Sequence, residues 1–162
     1  MRLLLDSMIY DKLLVDSGIV AKLKDAIEAQ IVELVRVPVV EAQLEATPDP
    51  ERRTQLLRVY RSLPATDVPS SGFMLDVRGA GLDQAEWATK QVEQDVSAVV
   101  GAKNLKENHY QDAMIAASAQ ANVDVLVTCD KRLAKSIRRA RLKLTVWGYQ
   151  RLTAVASSRA CQ

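Results

Sequence analysis

Residues 112–130 read DAMIAASAQANVDVLVTCD, and this stretch decides the fold class. Its first half is rich in alanine and belongs to a helix predicted over Tyr110 to Ala121. Its second half is apolar and rich in β-branched residues, which predicts a buried strand over Val123 to Cys129 that runs into Asp130. A helix that leads directly into a buried strand is typical of α/β proteins with a parallel sheet.

The same alternation of strands and helices extends outward through the rest of the chain. Further strands are predicted at Arg2–Leu5, Val32–Val37, Gly72–Val77 and Leu142–Trp147, the last of which is the final element. Further helices are predicted from Ser7, over Ile19–Ala29 with Ser17 as N-cap, from Val39, over Pro50–Ser62 with Asp49 as N-cap, over Leu82–Val100 and over Arg132–Arg139. Loops are predicted at Leu63–Ser71 and Lys103–Asn108. The whole pattern predicts one domain over residues 1–162, a three-layer α/β/α fold with a central, mainly parallel sheet.

Composition narrows the classes of protein to which the chain can belong. With 162 residues, 48% of them apolar, the chain can bury one core. It has neither a charged leader followed by an apolar run nor 18 consecutive apolar residues, so no signal peptide and no membrane span are predicted. Its two cysteines do not have zinc-site or disulfide-framework spacing. We therefore expect a protein of the reducing cytoplasm.

The charge of the chain is distributed unevenly. The net charge of +2 is too small to indicate a nucleic-acid-binding protein by itself. However, seven basic and no acidic side chains occur between Lys131 and Lys143. This segment either binds phosphate groups or is the solvated face of a helix, and the sequence leaves both readings open. Trp87 and Trp147 are interpreted as core or interface anchors rather than as surfaces on which bases stack.

Three aspartates are predicted to meet at one edge of the sheet. Asp6 follows the apolar run Leu3-Leu4-Leu5, Asp130 follows the strand described above, and the carboxyl ends of parallel strands share one edge. Asp112 opens the apolar helix directly upstream and would lie beside them. Each aspartate alone could be a helix cap or a favourable charge at a helix start. Together they would repel one another unless a cation neutralised them, and oxygen ligands suit Mg²⁺ or Mn²⁺.

These motifs, in this order, resemble those of the PIN-domain family, and in particular its VapC-like toxin ribonucleases. The family's pattern is a strand ending in Asp-Ser or Asp-Thr, an acid on a later helix, an Asp-Ala-x-Ile-Ala-Ala helix, and a strand running into Thr-x-Asp. The matching segments here are Leu5-Asp6-Ser7, the helix bearing Glu41 and Glu45, Asp112 to Ala117, and Thr128-Cys129-Asp130-Lys131-Arg132. Together they span nearly the whole chain.

The resemblance implies a PIN-like fold and an Mg²⁺- or Mn²⁺-dependent endoribonuclease. It implies that Asp6, Glu41, Asp112 and Asp130 are catalytic and that the three aspartates hold the metal. Ser7 and Thr128 would orient the ligands or their waters, with local backbone capping as the alternative for both. The residues implied to contact RNA phosphates are Arg132, Lys135, Arg138 and Arg139. The resemblance further implies the toxin of a toxin–antitoxin module, with an antitoxin protein as partner, and a homodimer.

The sequence departs from the family pattern at two positions. Met8 stands where the family commonly has Asn, and Gln43 falls where its second acid is expected. Glu41 and Glu45 are four residues apart and face the same way, so a small shift of register would bring one of them to the site, and Glu41 is preferred. The departures leave open a degenerate PIN domain that binds RNA or a protein without cleaving. A phosphoacceptor domain is a third hypothesis, but it requires a second N-terminal acid beside Asp6.

Overall fold

The main sheet consists of five parallel strands. A computed structural model describes residues 1–71, 85–86, 94, 96–99 and 107–158. Its strands are β1 (Arg2–Leu5), β2 (Glu33–Arg36), β3 (Thr66–Asp67), β6 (Val125–Val127) and β7 (Thr145–Trp147). Their order across the sheet is β3-β2-β1-β6-β7. The apolar residues of β1 and β6 are almost fully buried, as expected for central strands covered on both faces.

Helices flank this sheet and complete the three-layer α/β/α fold. The described helices are α1 (Ser7–Val15), α2 (Ser17–Glu28), α3 (Pro38–Glu45), α4 (Pro50–Ser62), α5 (Glu107–Asn122), α6 (Lys131–Ala140) and α7 (Tyr149–Ser157). Helices α1, α3 and α4 pack together, α3 also contacts α5, and α2 packs against α7. The α/β class and the mainly parallel sheet predicted from the sequence are therefore confirmed. No helix in these ranges is long and apolar enough to cross a membrane.

Side-chain capping fixes where several helices begin. Asp49 caps α4 as predicted, and its Oδ1 accepts hydrogen bonds from the backbone N–H groups of Glu51 at 2.9 Å and Arg52 at 3.4 Å. The prediction that Ser17 caps the second helix was wrong. Asp16 caps it instead by accepting from the N–H of Ile19 at 3.3 Å, and Ser17 is the first helical residue.

The structure differs from the sequence prediction in the short elements. The predicted loop Leu63–Ser71 contains β3 and a second short strand, β4 (Ser70–Ser71), which pairs in parallel with β5 (Ala85–Glu86). Strand β5 lies within the predicted helix Leu82–Val100, of which the structure describes only the helical residues 94 and 96–99 besides β5. Helix α7 was not predicted at all. The predicted strand Gly72–Val77 lies outside the described residues, as do residues 103–106 of the predicted loop Lys103–Asn108.

Candidate functional site

Asp6 lies at the carboxyl end of the central strand. Its backbone N–H donates to the carbonyl oxygen of Val127 at 2.9 Å, which continues the β1–β6 pairing by one residue. It is the N-cap residue of α1, but its side chain makes no capping hydrogen bond. The carboxylate is instead buried, with 3% of the residue exposed, and this burial raises its pKa despite hydrogen bonds from Thr128 and Ser7 that favour the charged form. The capping alternative for Asp6 therefore does not hold.

The Thr128 hydroxyl connects two of the predicted site residues. It donates to Oδ2 of Asp6 at 2.6 Å and accepts from the backbone N–H of Asp130 at 2.9 Å. A hydroxyl can donate one hydrogen bond and accept others, so both contacts are satisfied together. Ser7 makes a longer contact, with its hydroxyl 3.4 Å from Oδ1 of Asp6. Both hydroxyls thus contact the Asp6 carboxylate, and that of Thr128 also makes a local hydrogen bond with the backbone, as in the capping alternative.

Asp130 caps α6, and its charge also acts on the other two aspartates. Its Oδ1 accepts from the N–H groups of Arg132 at 2.6 Å and Leu133 at 3.1 Å. The capping alternative is therefore correct for this oxygen. The charge of Asp130 nevertheless acts on both Asp6 and Asp112, because it raises the pKa of each. One carboxylate oxygen of Asp130 is therefore used by the helix.

Asp112 completes the cluster from α5. The helix begins at Glu107, so Asp112 lies within it rather than at its start, contrary to the sequence prediction. Burial, followed by the charges of Asp6 and Asp130, raises the pKa of Asp112 to about 6. The Arg132 charge lowers that pKa in part. The structure therefore brings Asp6, Asp112 and Asp130 together at the carboxyl edge of β1 and β6.

Glu41 does not join this cluster. Its Oε1 accepts hydrogen bonds from Arg61 Nη2 at 2.9 Å and Nε at 3.3 Å. Glu45 is exposed, and its charge also acts on Arg61. Glu41 and Gln43 are two residues apart on α3, and such residues project to nearly opposite sides of a helix. Because Glu41 pairs with Arg61 in the register that α3 adopts, the shift that would have restored an acid does not occur.

Gln43 occupies the position expected of the missing acid. Its side-chain amide lies near enough to the Asp112 carboxylate to lower the pKa of that group, although less than burial and the charges of Asp6 and Asp130 raise it. The Oε1 atom of Gln43 is buried and has no hydrogen-bond partner among the described residues. Met8, the second departure from the family pattern, is 44% exposed. The sequence identified Gln43 as a departure, and in the structure this α3 side chain acts on the pKa of Asp112.

The donor set has the chemistry of a hard-cation site with few protein ligands. In the described part of the chain, no three His, Cys, Asp or Glu side chains converge closely enough to hold a metal ion alone. Mg²⁺ usually binds through one or two carboxylates and completes its shell with waters or substrate oxygens. Three groups here offer oxygen atoms to such an ion: the buried carboxylate of Asp6, the carboxylate of Asp112 and the Oε1 of Gln43, which has no partner among the described residues. These residues fit Mg²⁺ or Mn²⁺.

The basic residues of α6 form two groups. All four predicted phosphate-binding residues are exposed. The first group is Arg132 and Arg139, which are seven residues apart and lie on the same side of the helix. The charge of Arg132 acts on Asp112, and Nη2 of Arg139 lies 3.5 Å from the carbonyl oxygen of Val99. Arg138 instead lines a cavity beside Asp130, and Lys135 lies on that side of α6. Basic side chains therefore flank the aspartate cluster.

Comparison of the chain with protein-family models, with curated proteins and with solved structures finds no match.

Proposed function

We propose that this chain is an Mg²⁺- or Mn²⁺-dependent endoribonuclease that hydrolyses RNA phosphodiester bonds at the cluster of Asp6, Asp112 and Asp130. One observation carries the proposal: the Thr128 hydroxyl joins the carboxylate of Asp6 to the backbone of Asp130, and burial together with the charges of Asp6 and Asp130 raises the pKa of Asp112 to about 6. Buried, mutually repelling carboxylates weaken a fold unless they are protonated or neutralised. Helix capping explains only one of the three.

The residues of the cluster have distinct roles in this proposal. Asp6 and Asp112 bind the cation, and Asp130 contributes through the oxygen that does not cap α6. Thr128 holds the carboxylate of Asp6 in one orientation and also fixes the backbone of Asp130. When bound, a divalent ion lowers the pKa of water and stabilises charge on the phosphate. In this proposal Arg132, whose charge acts on Asp112, binds a substrate phosphate.

The biological setting follows from the resemblance to VapC-like proteins. The proposal is that the ribonuclease is the toxin of a toxin–antitoxin module, acts in the cytoplasm as a homodimer and is inhibited by an antitoxin protein. The antitoxin of such a module inserts a basic side chain into the acidic pocket. The cluster of Asp6, Asp112 and Asp130 would attract such a side chain.

RNA cleavage by the purified protein tests this proposal. We expect cutting of at least one RNA in a panel of structured and single-stranded molecules with Mg²⁺ or Mn²⁺, and no cutting in EDTA. Asp25→Asn is the matched control for Asp112→Asn, because Asp25 is an exposed aspartate on α2, away from the cluster. Cleavage that persists in EDTA, or a folded protein that cuts no RNA with either metal, would contradict the ribonuclease.

Gln43 favours a second candidate function, a degenerate PIN-like domain that binds RNA or a protein without cleaving. Where an acid would strengthen the metal site, Gln43 presents an uncharged amide to Asp112. This candidate predicts that RNA binding survives chelation and Asp112→Asn.

Gln43→Glu is expected to strengthen the binding of a divalent cation at the aspartate cluster. A fourth carboxylate beside Asp112 should raise the affinity for Mn²⁺ about tenfold, because ligand charge sets the affinity of such sites. The same change should lower the thermal stability of the metal-free protein, because it adds a repelling charge. Calorimetric Mn²⁺ titration and thermal unfolding in EDTA measure both effects. Gln150→Glu adds the same charge at an exposed position on α7 and serves as the control; equal Mn²⁺ affinities in the two variants would refute the placement of Gln43.

A further inference from the structure

A cavity of about 420 Å³ lies beside the aspartate cluster, on the side of β7. Thr128 and Asp130 form one of its walls, so the cavity shares residues with the cluster. Its volume lies in the range of pockets that hold small ligands. Strand β7 is parallel to β6 and in register with it, with Val127 opposite Trp147, so its carboxyl end reaches the same sheet edge. This cavity is therefore adjacent to the place where a scissile phosphate would be held.

One side of the cavity is apolar and aromatic. Leu144, Val146 and Trp147 line it. Trp147 is half-buried, and the guanidinium carbon of Arg151 lies 5.5 Å from the centroid of its ring. An arginine over one face of an indole attracts it and restricts its movement. The interpretation of Trp147 as a core anchor therefore accounts for only part of its surroundings, because the side chain also lines the cavity.

The other side of the cavity carries two cations. Lys131 and Arg138 both line it, since residues seven apart lie on the same face of α6. Among the described residues, neither side chain has an ion-pair partner within 4.0 Å. A cavity of about 500 Å³ near β2 also contains two arginines, Arg36 and Arg61, but both are paired with carboxylates. Of the described cations that line these two cavities, those beside Trp147 are therefore not paired with a carboxylate.

We propose that this cavity is a nucleotide subsite for the strand that the cluster cleaves. The nucleobase packs against Trp147 and the apolar side chains of Leu144 and Val146, and Lys131 and Arg138 bind the adjoining phosphate. An aromatic side chain combined with cations is the usual means of binding single-stranded nucleic acid. The class of ligand, a single-stranded RNA, rests on the ribonuclease function proposed above. The subsite would set which nucleotide flanks the cleaved bond.

Binding of a fluorescein-labelled single-stranded oligoribonucleotide in EDTA tests the subsite without cleavage. By fluorescence anisotropy, Trp147→Leu should weaken binding about tenfold, because stacking on an aromatic ring is lost. Arg138→Gln should weaken it roughly fivefold and reduce the slope of log affinity against log salt by about 0.7. Lys143→Gln is the matched control, because this exposed cation precedes β7 at the opposite sheet edge, and it should change affinity less than about twofold.

An abasic oligomer of the same length separates base recognition from phosphate attraction. It should compete at least about fivefold more weakly than the full oligoribonucleotide, because it offers nothing to Trp147. The subsite would be overturned if the abasic and full oligomers competed equally well, or if Arg138→Gln bound RNA with wild-type affinity. These two tests decide the proposal even where Trp147→Leu does not fold. Base-dependent binding in EDTA without cleavage in Mn²⁺ would support the subsite and contradict the proposed ribonuclease activity. Cleavage with binding insensitive to both substitutions would do the reverse.

Discussion

Asp112→Asn is expected to abolish RNA cleavage and, at the same time, to stabilise the metal-free protein. Activity should fall about 100-fold or more, because a carboxylate ligand of the proposed cation is replaced by a neutral amide. Stability should rise because the amide is neither repelled by Asp6 and Asp130 nor penalised by burial as a charge is. An ordinary damaging substitution would lower both quantities, so the opposite signs identify a site residue.

The pH dependence of unfolding gives the size of the stability effect. The pKa of Asp112 rises from 3.8 to about 6 in the folded protein, so folding favours its protonated form. The resulting stability is fully present below pH 3.8 and is lost as the pH rises through 6. The carboxylate of Asp6 acts in the same direction. Because Asp112 is only half-buried and solvent screens it, we expect a loss of about 1–2 kcal/mol between pH 4 and pH 7.

Urea unfolding in EDTA at several pH values measures this effect. The wild-type protein should lose stability between pH 4 and pH 7, and Asp112→Asn should lose less and be the more stable of the two at pH 7. Asp25→Asn supplies the control for removing an exposed carboxylate. Parallel pH profiles for the wild type and Asp112→Asn would show that Asp112 is not destabilised by its neighbours.

Thr128→Val is expected to cost about 2–3 kcal/mol of unfolding free energy, because it removes a hydrogen bond to a charged, buried group. Valine keeps the shape of threonine but can neither donate to Oδ2 of Asp6 nor accept from the N–H of Asp130. Oδ2 of Asp6 and the N–H of Asp130 each lose the partner that the hydroxyl supplied, and Asp6 keeps only the longer contact of Oδ1 with Ser7. The substitution should also reduce cleavage, since Asp6 loses its fixed orientation.

Two further variants isolate the role of the Thr128 hydroxyl. Thr128→Ser retains the hydroxyl and should recover most of the stability and the activity. Thr54→Val removes a hydroxyl that donates to the carbonyl oxygen of Pro50 at 2.9 Å on the exposed side of α4, and it should change stability by about 0.5 kcal/mol or less. Equal losses for Thr128→Val and Thr54→Val in urea unfolding would contradict the proposed link between Asp6 and Asp130.

The aspartate cluster could be predicted from the sequence because its position depends on few assumptions. Asp6 and Asp130 each follow an apolar strand, and in a parallel sheet such positions share an edge. A shift of either strand boundary by one residue leaves this conclusion unchanged. To predict the position of Asp112 it was enough that the apolar helix upstream of β6 begins near the same edge. That helix begins at Glu107, one turn earlier than expected, and this extra turn leaves Asp112 near the edge.

The choice of the α3 residue that reaches the site was hard to make from the sequence, because it depends on a helical register. One residue rotates a side chain by about 100°, so the choice between Glu41 and Gln43 selects opposite sides of the helix. The sequence favoured Glu41 on charge alone. The pairing of Glu41 with Arg61, twenty residues away on α4, is a tertiary contact that local patterns do not contain.

The short elements were missed for other physical reasons. Strand β3 consists of Thr66 and Asp67, which are exposed and carry no apolar alternation; it is held by backbone pairing with β2 and by the ion pair between Arg36 and Asp67. Helix α7 did leave a signal, because Leu152 and Ala156 are buried at a spacing of four residues after Gly148. The strand that ends at Trp147 was predicted, but the cavity beside it could not be, because local patterns do not show that this strand pairs with β6.

Mn²⁺ binding most directly tests the central claim, that a divalent cation binds at the cluster of Asp6, Asp112 and Asp130 through one or two carboxylates and waters. Titration of the folded protein with Mn²⁺, followed by electron paramagnetic resonance, should show saturable binding that weakens about tenfold or more in Asp112→Asn and is unchanged in Asp25→Asn. Equal Mn²⁺ affinity in Asp112→Asn and the wild type, or no saturable binding by the folded wild-type protein, would contradict the claim.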